Sequence, residues 1–430
     1  MKLENKYFKL AAHCFIINGE KGYAIYDLHN NNIYSIDSQI GKMIDILDPN
    51  NIDIWRALRM EMFKGLKKTK IIKYLDEIVK LGLADYYEKN VIIEKLKPIS
   101  FYDHNYYKTK RIPLPLQKIW IELNNKCNFN CIHCIDTIKK VKRCSCSVNE
   151  IESFKNINFD TIKKIINDVE LLGCQEVHII GGEPLLNKNM VFDLITLARK
   201  KKIPKIILQT NLFHFNEEIL NFLLNNKVII QSLLYSYNQE RNDSITGRTG
   251  SWRKIIDNLK SIRKHPIQIK VLIEIMKENQ NDIKLTTSLL NNIGIKDISY
   301  SYVLSNNQQI FPSKFSNEIF KTEDNIHGVN ANEFFRNRIG NPCWFAKLAI
   351  TFDGKITPCI MARDIIIENI SNASLKELIL NGKIDKYWLL NKDLINKCKG
   401  CEYRYACFDC RHKERLTNSL YSSNKYCSIY

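Results

Sequence analysis

The sequence predicts an α/β protein built on a partial, TIM-like (β/α)6 barrel, with a separate N-terminal region and a cysteine-rich C-terminal one. Three observations lead there. Between residues 118 and 303, short apolar runs alternate with amphipathic helical stretches. The first hundred residues follow another rhythm, hairpin strands and then three helices. The last ninety residues carry seven of the chain's 14 cysteines.

The N-terminal elements come first. Residues 7–36 alternate as hairpin strands, with Tyr23–Leu28 and Ile33–Ile36 flanking an Asn30-Asn31-Asn32 turn. Amphipathic helices are expected over 38–47, 51–63 and 69–81, the last closed by Gly82, and 83–87 returns as a strand. Pro98, Pro113 and Pro115 mark 95–115 as a linker. The barrel then opens on the alternating run 118–124. Its further strands are 176–180, 205–210, 228–234, 268–275 and 298–303, separated by helices over 159–173, 189–201, 216–226, 251–264 and 281–293. Ser251 is the expected N-cap of the helix that follows it.

With 430 residues the chain has room for two or three domains. No apolar run is long enough to cross a bilayer, and residues 1–6 lack the apolar stretch of a signal peptide. Many cysteines without an export signal point to metal rather than disulfides, and to a cytoplasmic, oxygen-sensitive protein. The net charge of +18 invites a nucleic-acid reading. The charges are spread along a chain rich in Lys, Asn and Ile, a compositional bias, and no basic patch is interleaved with aromatics. Nucleic acid and membrane are therefore not expected as partners; a basic surface would help recruit an acidic peptide.

The most informative residues are Cys127, Cys131 and Cys134, a C-x3-C-x2-C run just past the first barrel strand. Three thiolates on one tight loop can hold three irons of a cubane cluster and leave the fourth open, whereas a structural zinc site wants four ligands. Gly181-Gly182-Glu183-Pro184 ends the next strand. Glycines there allow close backbone approach, and a carboxylate pairs with an ammonium. Asn211 and Ser236 also fall just past strand ends, on the face where barrel sites gather. Half of a zinc site is the competing reading of the triplet.

This combination resembles the radical S-adenosylmethionine (SAM) enzymes. The resemblance implies that Cys127, Cys131 and Cys134 bind a 4Fe–4S cluster and that Gly181, Gly182 and Glu183 hold the SAM amino group. His133 departs from it, standing where an aromatic residue usually precedes the last cysteine. Residues 235–252 are similar to the fourth-strand region of peptide-modifying members, which implies a contact of Ser236 with SAM; Asn211, on the same face, is also read as a cofactor-binding residue. The tail, with Gly354 before Cys359 and then C-x2-C-x5-C-x2-C, resembles the SPASM extension. That implies two auxiliary 4Fe–4S clusters, one on Cys398, Cys401, Cys407 and Cys427, the other on Cys343, Cys359 and Cys410. The second set is one thiolate short, because the first takes four of the seven tail cysteines; the final gap is also one residue shorter than the family's. Cys144 and Cys146 are read as incidental, Cys14 and Cys174 as core residues.

More narrowly, Lys6–Leu10, Tyr26-Asp27-Leu28, Cys401–Tyr405 and Cys407–Arg411 look like the grasp-with-SPASM maturases. The resemblance implies four parts: a winged-helix-like leader-peptide recognition domain (1–94), a linker (95–115), the radical SAM barrel (116–320) and the SPASM domain (335–430). It implies a ribosomal precursor peptide as substrate, an ATP-grasp ligase in the same system and an external one-electron donor. A 5′-deoxyadenosyl radical would take hydrogen from the peptide, leading to a thioether or carbon–carbon crosslink or an oxidised side chain, with an auxiliary cluster accepting an electron. A radical SAM enzyme acting on RNA and a non-catalytic peptide scaffold are the alternatives. No catalytic side chain beyond these is identified.

Overall fold

The structure, a computed structural model, describes residues 6–63, 67–98, 104–135, 156–303, 328–407, 410–412 and 419–422. Cys144, Cys146 and Cys427 lie outside them. The chain forms two compact units. The first holds residues 1–106, 320–345 and 389–430; the second holds 107–319 and 346–388.

In the first unit, β1 (Tyr7–Leu10) pairs antiparallel with β5 (Ala84–Tyr87). A separate antiparallel sheet joins β2 (Cys14–Asn18), β3 (Tyr23–Asp27) and β4 (Asn32–Ile36). The opening residues thus pair across the helices rather than with the next strand. Asp37 caps α1 (Ser38–Leu47) by accepting from the Gln39 and Ile40 amides. The expected helix over 51–63 is instead the short α2 (Ile54–Arg59) followed by a separate 3₁₀ turn. On α3 (Lys68–Lys80), Ile71, Leu75 and Ile78 form one buried stripe. Gly82 takes the left-handed φ of 72° that ends it. These stripes close over Phe8, Leu10, Met43 and Ile44. A second core lies on the other sheet, where Ile17, Ala24 and Tyr26 pack on Phe334, Phe335 and Tyr405. The N-terminal sheet therefore shares its core with tail residues. The start of the expected linker is also tied down: the Leu96 amide donates to the Ala12 carbonyl, and Lys95 Nζ to those of Leu10, Ala11 and Cys14.

The second unit is the barrel. After α4 (His104–Lys110) come six parallel strands, β6 (Lys118–Glu122), β7 (Glu176–Ile180), β8 (Lys205–Gln209), β9 (Ile229–Leu233), β10 (Ile269–Ile275) and β11 (Asp297–Tyr302), paired in sequence order. The Val/Ile/Leu-rich runs of β7, β8 and β10 are buried, as a parallel sheet demands, whereas β11, DISYSY, is partly exposed. The short α5 (Ile132–Ile135) follows β6, and α6 (Phe159–Leu171), α7 (Lys188–Lys200), α8 (Glu217–Asn225), α9 (Gln239–Thr246), α10 (Ser251–Ile262) and α11 (Ile283–Ile293) connect the rest. In α6 to α9 the N-cap is an asparagine, Asn158, Asn187, Asn216 and Asn238, each accepting a backbone N–H. Helix α10 is capped from outside. Asp243, not Ser251, accepts the Trp252 amide, the Gly250 amide and the Ser251 hydroxyl.

The sheet does not stop at six. Beyond α12 (Ala331–Ile339) of the first unit, tail strand β12 (Lys347–Ile350) adds in parallel to β6 as a seventh. Strands β13 (Lys355–Thr357) and β14 (Glu368–Asn369) continue it antiparallel.

Candidate functional site

The three cysteines leave β6 through Leu123 and Asn124. Asn124 stitches this loop to the next strand end: its carbonyl and Oδ1 accept the Gly182 amide, and its Nδ2 donates to the Glu183 carbonyl. The Glu183 amide donates to the Lys126 carbonyl at 2.8 Å. A Cβ on Gly182 would stand 2.0 Å from that carbonyl oxygen, so only glycine lets the two loops close. The first use of the glycine pair is thus to admit the cysteine loop's own backbone.

Cys127, Cys131 and Cys134 line one pocket with Gly181, Gly182, Glu183, Asn211 and Tyr235. Its walls come from the ends of β6, β7, β8 and β9, the C-terminal face of the barrel. The Phe129 amide and Asn211 Nδ2 point at Cys127 Sγ, at 3.4 and 3.7 Å. Burial, then the nearby Glu183 charge, push the Cys127 thiol up to about 12. The Cys131 thiol is held well above its ordinary value by its hydrogen bond with the Cys134 thiol and by burial. Thiols crowded with a carboxylate describe the donor side of a metal site, and three of them suit a cluster with one open iron.

Glu183 is buried. Its carboxylate accepts from the Leu185 amide at 3.0 Å, Thr210 Oγ1 at 2.7 Å and the Asn211 amide at 2.7 Å. All three donors are neutral, and burial outweighs them, raising its pKa to about 7. A buried carboxylate facing a pocket without a paired cation fits the ammonium of an amino-acid ligand. Gly181, Gly182, Glu183 and Asn211 are therefore brought together as read from sequence. Ser236 is not among the lining residues. Its hydroxyl donates to Asp282 and accepts the Asn238 amide, fixing the turn after β9.

Residues that sequence reading missed are Asn124, Thr210 and Tyr235. Tyr235 OH lies 3.4 Å from His133 Nε2, and Glu274 lies 3.6 Å beyond the same nitrogen, so His133 is buried in the barrel interior. Nothing local marks these residues; parallel pairing makes them neighbours.

The tail cysteines fall in both units. Cys359 follows the β12–β13 hairpin, where Gly354 takes a left-handed φ of 79°. The Met361 amide donates to Cys359 Sγ at 3.3 Å. Four residues on, Arg363 pairs with buried Glu122 at the end of β6, whose other oxygen accepts the Phe352 amide. In the first unit, Cys343 follows an Asn341 turn, and Cys398, Cys401 and Cys407 lie on consecutive tight turns, with Cys410 beyond. None of the described cysteines is in a disulfide.

Residues 121–290 match the radical SAM superfamily, and residues 343–402 match the SPASM iron–sulfur cluster-binding domain. With the pocket above, the chain carries a radical SAM domain and a SPASM domain, those of an enzyme that uses SAM and 4Fe–4S clusters. Among its relatives is the antilisterial bacteriocin subtilosin biosynthesis protein AlbA of Bacillus subtilis, 23% identical over 340 residues, 74% of this chain and 72% of that protein. GTP 3′,8-cyclase of Clostridium perfringens is 22% identical over 162 residues, 38% of this chain and 47% of that enzyme. The fold is similar to that of Streptococcus suis SuiB, solved with S-adenosylmethionine, at a TM-score of 0.57 and 15% identity, covering 98% of this chain and all of that one.

Proposed function

We propose that this enzyme modifies a ribosomally made precursor peptide. The reading rests above all on how far the likeness extends. AlbA aligns along most of the chain, and the SuiB fold, also solved with its precursor peptide SuiA, spans the N-terminal region as well as barrel and tail. The cyclase alignment is confined to a much shorter stretch.

In this proposal Cys127, Cys131 and Cys134 hold three irons, Glu183 pairs with the SAM amino group, and Gly181, Gly182 and Asn211 line its seat. The tail cysteines hold auxiliary clusters. When bound, SAM and its cluster supply a radical able to remove hydrogen from an unactivated carbon. The chain orients that pair and keeps water out, with Phe129, Leu233 and Tyr235 walling the pocket. Residues 1–94 would hold the peptide's leader. Strand β4 pairs with β3 on one side only among the described residues, leaving an edge for strand addition. An ATP-grasp ligase and an external electron donor complete the proposed system, in the cytoplasm. No helix among the described residues is long and apolar enough to cross a membrane.

The test is reduced, anaerobically reconstituted enzyme with SAM and a short peptide encoded beside it. Loss of two hydrogens from the peptide by mass spectrometry, absent from a Cys127→Ala/Cys131→Ala/Cys134→Ala variant, is expected. SAM cleavage that leaves the peptide unchanged but modifies RNA would overturn the reading.

A further inference from the structure

The β2–β3 hairpin ends, opposite its turn, in a cluster of metal-binding donors that the radical chemistry does not use. His13 Nε2, Cys14 Sγ and a carboxylate oxygen of Asp27 all lie within 4.8 Å of one another. The antiparallel register puts them there. Cys14 and Asp27 are a directly opposed pair, and the Leu28 amide donates to the His13 carbonyl at 3.1 Å, extending the ladder by one rung. A second imidazole stands beside the first, with the His29 and His13 ring centroids 5.6 Å apart. For Zn–N bonds of about 2.0–2.1 Å, two imidazoles on one tetrahedral ion have centroids about 5 Å apart.

We propose that His13, Cys14 and Asp27 form a divalent-metal site, matched to Zn²⁺, with His29 or water as the fourth ligand. Imidazole, thiolate and carboxylate together select a borderline ion; magnesium and calcium would want oxygen alone. Thiolate and carboxylate balance the dication's charge. Asp27 is already oriented, because the His29 amide, the Asn30 amide and Asn30 Nδ2 donate to its oxygens, as groups behind a metal ligand do. Lys95 is the neighbouring cation, and Asp48 pairs with it at 3.1 Å. Cys14 and Asp27 are buried, whereas the His13 side chain is 29% exposed and gives an ion its way in. The ion would clamp the two strands whose other residues, Ile17, Ala24 and Tyr26, meet the tail core.

The experiment uses full-length, cluster-reconstituted enzyme given one equivalent of zinc chloride and then desalted. Zinc-edge X-ray absorption is element-specific, so cluster iron does not interfere. The expected spectrum has one sulfur at about 2.3 Å and nitrogen or oxygen at about 2.0–2.2 Å. His13→Gln should weaken zinc at least tenfold in chelator competition, with iron content unchanged. Cys14→Ser should remove the sulfur shell; if it fails to fold, the His13 variant still decides. Zinc lost on desalting, equal affinity in His13→Gln, or a shell of three or four sulfurs would each overturn the proposal.

Discussion

Glu122 and Glu183 stand at the C-terminal ends of neighbouring strands, and both are buried, yet they are answered differently. Glu122 faces a guanidinium, Arg363, and a backbone amide. Its charge is matched within the chain, and the match fastens the loop bearing Cys359 to the strand that feeds the first cysteine loop. Glu183 has only neutral donors and a pKa raised to about 7. The first carboxylate is neutralised by a guanidinium; the second also ties its turn together, and in the proposed function its charge is answered by the ligand's ammonium. Burial alone would not separate them; the charge of the partner does.

The comparison can be broken most sharply at Glu122. Glu122→Gln leaves Arg363 buried without its anion and should cost about 3–5 kcal/mol in urea unfolding. Replacing both partners, Glu122→Gln with Arg363→Met, should recover most of that loss. A single variant as stable as wild type would mean the pair holds nothing.

Glu183→Gln should act in the opposite sense. SAM affinity in equilibrium dialysis should fall about 10–100-fold, the worth of one charged hydrogen bond. The cofactor-free chain should not be destabilised at pH 8. The sign follows from linkage. Because the folded carboxyl titrates near 7 rather than at its ordinary 4.5, the native state between those values holds a proton the unfolded chain has released. Its contribution is most favourable below the unfolded value, declines as pH rises between the two, and is flat above. The stability gained by Glu183→Gln should therefore be largest at pH 8 and vanish at pH 4.

The same titration sharpens the ligand reading. Wild-type SAM affinity should drop as pH falls below about 7, toward tenfold per unit, as Glu183 takes up its proton. In Glu183→Gln this dependence should flatten. An identical pH profile in both would assign the ammonium to another group.

The smallest effect tests the scaffold alone. Asn216→Ala removes the cap of α8 and should cost about 1 kcal/mol without changing SAM affinity.

The cysteine triplet and the Gly-Gly-Glu turn were legible because each is a short contiguous run at a strand end. Asn124, Thr210 and Tyr235 were not, since each looks like any polar or aromatic residue until the parallel register sets it beside the loop. The asparagines show the reverse error. Read as compositional bias, they are the caps of four successive barrel helices. The six barrel strands follow the alternation of the sequence, while the seventh, only four residues long, gave too short a signal inside the tail.

That seventh strand also orders events during synthesis. Lys347 of β12 pairs with Lys118 of β6, so until the tail has left the ribosome β6 is the outer strand of an unfinished sheet. The cysteine loop hangs from that strand. The nascent chain carries its cysteine loop on an open edge while the barrel is made, and contacts so distant in sequence close slowly. Cluster insertion before that closure would act on a half-built sheet, whose first cysteine loop still hangs from an unpaired edge.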